Sequence, residues 1–191
     1  MRVEIISGSA RINSQTKRVA LHLHQKLQGA NEVSVGLINL NEFSLGPVES
    51  VFNSVCEAPV AIRPIVERVM NADALILVSP EYNGSYSPAM KNFLDHFPKQ
   101  TQKTLGIVTA SPGAFGGMRA AMQLQSLTYG LMGIGSPQML IVPEIEKKFD
   151  ENGQLIDFTF AESVDSFIES FLWLGHAVAY ARTASVVKKC A

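Results

Sequence analysis

Charge is scarce in this chain. Asp, Glu, Lys and Arg make up 17% of its residues and nearly cancel, leaving a formal net charge of −1. So weak and mixed a field gives no reason to expect nucleic acid or an anionic membrane surface as a partner. Cysteine is scarcer still. Cys56 and Cys190 stand far apart, and neither sits in a C-x-x-C pair or beside a metal-ligand cluster. Two free thiols in a reducing compartment are expected, with no disulfide framework and no metal. Long apolar runs are missing too. Met1-Arg-Val-Glu-Ile-Ile-Ser carries charges within a very short apolar run, which excludes the h-region of a signal peptide. The most apolar late stretch, Phe171–Ala181, is too short for a bilayer core about 30 Å thick. A soluble, cytoplasmic protein is expected.

Apolar residues, by contrast, are plentiful. At 47% of 191 residues they suffice for a large core, and the length suits a single domain spanning 1–191. Short apolar runs alternate with helical patterns, the signature of a parallel sheet covered on both faces. Strands are predicted at Val3–Ser7, Val33–Ile38, Ala74–Ser79, Leu105–Ala110 and Met139–Val142. Ala74–Ser79 is the most continuous of these runs and so should be central. Helices are predicted at Ser14–Leu27, from Pro64 to about Asn71, at Pro88–Phe97 and at Met118–Met132. Asn39–Pro59 has no period, and Gly46-Pro47 marks a turn within it. Asp150-Glu-Asn-Gly153 reads as a surface turn within Phe149–Leu155. Val164, Phe167, Ile168, Phe171 and Leu172 then mark an amphipathic last helix. The pattern fits an α/β, flavodoxin-like, doubly wound five-stranded parallel sheet in three layers. The strand order 2-1-3-4-5 belongs to that fold class. Ligands of such sheets bind at the carboxyl ends of the first and third strands, where the strand order reverses.

Three loops reach that edge. The first, Gly8-Ser-Ala-Arg-Ile-Asn-Ser-Gln-Thr16, leads from a strand into a helix N-terminus. It offers backbone N–H groups, the hydroxyls of Ser9, Ser14 and Thr16, and the Arg11 guanidinium, a donor set suited to phosphate. In isolation, Ser14 reads equally well as an ordinary helix N-cap. No Gly-Lys-Ser/Thr follows, so this is not a Walker A loop. Ala10 and Asn13 occupy places where G-x-G-x-x-G needs glycine. A single monophosphate fits better. The second loop, Ser79-Pro-Glu-Tyr-Asn-Gly-Ser-Tyr-Ser-Pro88, is stiffened by proline at both ends. Tyr82 offers a flat surface and Asn83-Gly84 a turn, suited to the edge of a planar heteroaromatic ring. The third, Thr109-Ala-Ser-Pro-Gly-Ala-Phe-Gly-Gly117, has three glycines around Phe115 that permit close backbone approach; alone it reads as a flexible connector.

Together these residues resemble the NADPH-dependent FMN reductases, a family of flavin, azo, quinone and chromate reductases. The first loop is similar to the family's G-S-x-R-x-x-S pattern, and Ser79-Pro-Glu-Tyr-Asn-Gly84 to its P-E-Y-N segment. Met90-Lys-Asn-Phe-Leu-Asp95 resembles the helix that follows, and Ser111–Gly117 stands where the family has its third flavin loop. The resemblance runs from Arg2 to Val142, while Leu40–Pro59 departs from the family's aspartate-leucine-proline pattern. It implies bound FMN, with NADPH or NADH as co-substrate. Ser9, Arg11, Ser14 and Thr16 would hold the FMN phosphate, helped by the Gln15 backbone. Pro80, Glu81, Tyr82, Asn83 and Gly84 would line the isoalloxazine, largely through backbone, with Ser111 and Gly113 closing the other side. It also implies a homodimer or dimer of dimers, for which apolar Met118, Met122, Leu127, Leu131 and Met132 are suited, though a core role explains them equally well.

A ping-pong hydride transfer to a small-molecule acceptor follows from such a site. No nucleophile–base set for covalent catalysis is present, so the Asn83–Gly84 backbone near flavin N5 is the expected catalytic contribution. His22, His24, His96 and His176 fall on helix patterns away from the three loops and read as structural. Two other readings share the fold. A flavodoxin-type electron carrier would be strongly acidic and lack Arg11. A response-regulator receiver would need acidic residues where Gly8 and Ser9 stand.

Overall fold

The computed structural model describes residues 1–189, with the side chains of the last helix described through Ala184. Its elements are β1 (Arg2–Ser7), α1 (Thr16–Gln28), β2 (Ser34–Asn39), α2 (Arg63–Asn71), β3 (Ala74–Tyr82), β4 (Ser85–Tyr86), α3 (Pro88–Asp95), β5 (Thr104–Ala110), α4 (Met118–Gly130), β6 (Ile134–Gly135), β7 (Leu140–Val142), α5 (Ile145–Lys148) and α6 (Ala161–Lys189). The main path of the sheet runs β2-β1-β3-β5-β6, and β7 also pairs with β5. Apart from the antiparallel β3–β4 hairpin, its pairings are parallel. The predicted doubly wound α/β fold is present.

Strand alternation divides the core. Val3, Ile5, Ile76 and Val78 pack with Val19, Leu23, Phe167 and Phe171 of α1 and α6. Ile6, Leu75, Leu77 and Ile107 face α2, α3 and α4, meeting Val66, Phe93 and Leu124. With Ala74–Pro80 wholly buried, β3 is the central strand. The charge inside the first strand is matched. Glu4 is buried, and its carboxylate accepts from Arg68 Nε at 3.1 Å and from a terminal guanidinium nitrogen at 2.5 Å.

The chain departs from the sequence expectations in several places; β4 and α5 are additional to the expected elements, and β3 runs on to Tyr82. The edge strand at Met139–Val142 is only half of what pairs there. β6 pairs with the start of β5 and β7 with its end, and Pro137 lies in the gap, where it has no N–H to give a ladder. The first helix starts at Thr16 rather than Ser14, after a turn at Ile12-Asn13. Asn39–Pro59 is aperiodic but anchored. Leu40, Phe52 and Ala58 are buried against α2 and α3, and Asn92 Nδ2 donates to Gly46 O at 3.0 Å.

The histidines serve this frame. His22 is buried against Phe149, and its Nδ1 lies 2.8 Å from Gly153 O, tying the Phe149–Leu155 hairpin to α1. Burial pulls its pKa below the usual 6.5. His96 Nδ1 meets Asn92 O at 2.8 Å, in the last turn of α3. Cys56 is exposed and unbridged; Cys190 lies outside the described residues. Among the described residues no cluster of potential metal ligands forms, and no helix is long and apolar enough to cross a membrane.

Candidate functional site

A cavity of about 700 Å³ opens at the carboxyl ends of β1, β3 and β5. Its size is in the range of small-ligand and cofactor sites. The first loop contributes Ser9, Arg11, Ser14, Gln15 and Thr16 to its lining. Pro80, Glu81, Tyr82 and Asn83 line it from the second loop, and Ser111 from the third. Gly84 and Gly113 are not in its lining. Gly84 sits at the hairpin tip, and Gly113 donates its N–H to Ser111 Oγ at 3.0 Å. Sequence reasoning missed Asn13, Pro88, Ala110, Pro112 and Ile145, which also line the cavity. Ile145 follows β7, and the carboxyl end of that strand was the signal that marked it.

Four helices begin at this edge, and they differ in what satisfies their first N–H groups. Free N–H groups and the positive dipole end make a helix start an anion site only when nothing else occupies it. At α3, Ser87 Oγ accepts from Met90 N at 3.0 Å, so the start is capped. At α4, Gly117 is the N-cap in the left-handed region (φ +86°) and has no side chain to give. The Glu81 carboxylate caps it instead, accepting from Arg119 N at 3.2 Å and Ala120 N at 3.4 Å. The single turn of α5 carries Glu146, whose carboxylate accepts from the Gln15 side-chain amide at the α1 N-cap, and the turn is too short to offer an anion site of its own. α1 is different. Its N-cap residue, Gln15, makes no side-chain cap bond, its first turn has no acidic residue, and Ser14 Oγ is buried without a hydrogen-bond partner. An orphaned hydroxyl beside an uncapped helix start is a site for an acceptor from outside the chain.

Tyr82 joins the first two loops. Its hydroxyl lies 3.4 Å from Ser9 Oγ, and the Arg11 guanidinium rests 4.4 Å from its ring centroid. Ser9 Oγ also accepts from Arg11 N at 3.3 Å. Beneath them runs a buried chain of hydroxyls. Ser87 Oγ donates to Gly8 O, Ser87 N donates to Ser79 Oγ at 3.0 Å, and Ser79 Oγ donates to Pro80 O at 2.9 Å. The first two loops are therefore held in one fixed relation.

The second loop is a β-hairpin. Glu81 pairs with Tyr86 and Tyr82 with Ser85, leaving Asn83 (φ +52°) and Gly84 (φ +81°) as its two central residues. Positive φ at both is what a type I′ turn requires, and Asn-Gly is the pair best able to supply it. The Glu81 carboxylate turns to the start of α4, whereas the role expected of this residue rests largely on its backbone. It bonds Arg119 Nε at 2.9 Å and pairs with a terminal guanidinium nitrogen at 2.7 Å. The third loop packs down because Gly117 is glycine: a Cβ there would lie 2.9 Å from Thr109 Cβ.

Comparison with known proteins gives a family and a fold. Residues 1–146 match the family described as NADPH-dependent FMN reductase. The FMN-dependent NADPH-azoreductase of Staphylococcus aureus strain USA300 is 27% identical over 183 residues, covering 89% of this chain and 96% of that one. Among solved structures, the flavoenzyme NAD(P)H:(acceptor) oxidoreductase FerB of Paracoccus denitrificans superposes with a TM-score of 0.74 at 22% identity, covering 92% of this chain and 97% of that one. An archaeal flavodoxin shares the fold with a TM-score of 0.61 at 13% identity, covering 91% and 99%.

Proposed function

The chain belongs to the NADPH-dependent FMN reductase family, and on that premise we propose that it anchors the phosphate of FMN at the start of α1 and works as an NAD(P)H-dependent, ping-pong oxidoreductase. The observation that carries the phosphate assignment is the buried, unpartnered Ser14 Oγ beside a helix start with no cap. FMN bound there supplies the redox chemistry, hydride transfer from NAD(P)H and then reduction of an acceptor in a separate encounter.

The chain's own part is binding and orientation. Ser9, Ser14 and Thr16 would donate hydroxyl hydrogen bonds to the phosphate, with help from the Gln15 backbone, and the Arg11 guanidinium beside the Tyr82 ring would add a charge-assisted pair. The backbone of Pro80, Glu81, Tyr82 and Asn83 would border the isoalloxazine and Ser111 would close the opposite side, with Gly84 and Gly113 next to them just outside the cavity lining. At the rigid hairpin tip, the Asn83–Gly84 backbone serves flavin N5 without any side-chain acid or base. The acceptor is a small oxidant of the flavin, quinone, azo-compound or metal-oxyanion class. The fold alone suits an electron carrier equally; family membership favours the reductase.

The chain acts as one cytoplasmic domain over 1–191 and as a homodimer or dimer of dimers. Support for the dimer lies on α4 and the turn after it, where Met118, Met122, Tyr129 and, past the helix end, Met132 are all exposed. Leu131 takes the core role instead, and Leu127 is partly buried against the same core. One experiment tests the central assignment. Purified protein should be yellow and bleach under anaerobic NADPH, and an Arg11→Ala/Ser14→Ala variant should lose the colour. A double variant that keeps native FMN affinity refutes the phosphate site.

A further inference from the structure

Resting on this flavin-site reading, we propose that the Glu81 carboxylate is a positioning group that fixes the gap between the β3–β4 hairpin and the start of α4. Three observations carry it. The side chain is 12% exposed, so its charge is held away from water and needs the partners it has. Those partners all belong to the first turn of α4: the backbone N–H groups of Arg119 and Ala120, and the Arg119 guanidinium. α4 has no cap of its own, because Gly117 offers no side chain. The hairpin therefore supplies by tertiary contact what a Ser or Asp at the N-cap supplies locally.

The geometric consequence lies in the cavity. Glu81 stands two residues before Asn83, and Gly117 ends the loop that begins at Ser111. Tying Glu81 to α4 sets how far apart the second and third loops stand, and a planar ring between them takes its tilt from that spacing. Ser85 Oγ donates to Gln123 Oε1 at 2.7 Å one turn further along α4, so the hairpin is held there at a second point. The phosphate end is braced separately, through Ser87 and Gly8. Glu81 thus governs ring orientation and leaves phosphate affinity alone. Its bonds divide into two kinds. Arg119 is 75% exposed, so the ion pair is screened by solvent, whereas the two backbone bonds form the cap.

The test compares wild-type protein with Glu81→Ala, Glu81→Gln and Arg119→Ala by amide hydrogen exchange, FMN titration and anaerobic stopped-flow reduction by NADPH. In Glu81→Ala the Arg119 and Ala120 amides should exchange about tenfold faster, with or without FMN. FMN affinity should stay within about threefold, while hydride transfer falls between about tenfold and a hundredfold, the scale of an ångström-sized misplacement. The KM for NADPH should move less than the rate. Glu81→Gln keeps an acceptor oxygen for the backbone bonds and should recover most of the protection and much of the rate. Arg119→Ala should lose less than Glu81→Ala. Should Glu81→Ala not fold, Glu81→Asp, one methylene shorter, replaces it and must show the same pattern. Wild-type reduction rates despite deprotected amides would overturn the proposal, as would a collapse of FMN affinity in step with the rate. Wild-type protein that takes up no FMN would instead overturn the flavin-site reading, and the exchange result would still decide whether Glu81 is the cap.

Discussion

Replacing Ser14 with alanine is expected to act in opposite directions on the FMN-free and FMN-loaded protein. Its hydroxyl is buried and makes no bond within the chain. An unsatisfied buried polar group costs about 1–3 kcal/mol, and alanine removes the group. Part of that cost reflects the site's access to water, so a gain of about 0.5–1 kcal/mol in the FMN-free protein is the expected size. For a domain of this length the melting temperature should rise by roughly 1–4 °C. FMN reverses the sign. A hydrogen bond to a charged phosphate is worth about 1.5–3 kcal/mol, so FMN should bind about ten- to a hundredfold more weakly. Riboflavin, which lacks the phosphate, should bind nearly as it does to wild type. Thermal melts with and without saturating FMN, together with paired FMN and riboflavin titrations, measure all four quantities. An ordinary N-cap serine gives another pattern: its loss lowers the FMN-free stability by about 1 kcal/mol and leaves FMN affinity alone. That result would refute the argument from the orphaned hydroxyl.

Three further outcomes are expected. Gly84→Val forces a β-branched residue to φ +81°, at a cost of order 1–3 kcal/mol, and should slow NADPH-driven bleaching while circular dichroism stays native. His22 is buried neutral, so its folded pKa lies below the unfolded 6.5. Its contribution to stability is complete above that value and is lost as pH falls toward the folded pKa, and His22→Asn should flatten the stability–pH curve there. Met122→Glu places a charge in the exposed α4 patch and should convert the proposed dimer to monomer by light scattering, with bound FMN as the check that the variant folds.

Some of this was legible in the sequence because its cause is local. The β3 run, the Asn83-Gly84 turn and the hydroxyl-rich first loop carry their signals within ten residues. The wholly apolar run of β3 fixed its central place, and βα alternation fixed which strand ends face one way. What could not be read depends on which side chain meets which across the fold. Glu81 looked like part of a flavin loop, but its carboxylate belongs to a helix that starts 37 residues later, at Met118. Ser87 is an unremarkable serine until its Oγ is found on the Gly8 carbonyl, 79 positions away. The apolar stripe of Val19, Leu23 and Leu27 does not mark where α1 begins; the helix starts at Thr16, not Ser14, and the Ser14 hydroxyl has no partner in the chain.

The charge balance of the cavity bears on which acceptors it admits. Of the residues lining it, only Arg11 and Glu81 carry formal charge. Glu81 is matched by Arg119 and by the first N–H groups of α4. A bound phosphomonoester brings about −1.5 to −2 charges, Arg11 returns one, and the helix start adds roughly half of one. Those charges nearly cancel, and Glu146, bonded to Gln15, adds one negative charge beside them, so the excess of about one unit lies at the phosphate end. The ring end exerts almost no field, so discrimination between acceptors there rests on shape and flatness. The KM values for a neutral quinone and for an anionic azo dye of similar size should therefore respond alike, within about twofold, when ionic strength rises from about 0.01 to 0.1 M. A much steeper rise for the dye would mean that cations outside the cavity steer anions to the ring, and the neutral-slot argument would fail on that measurement.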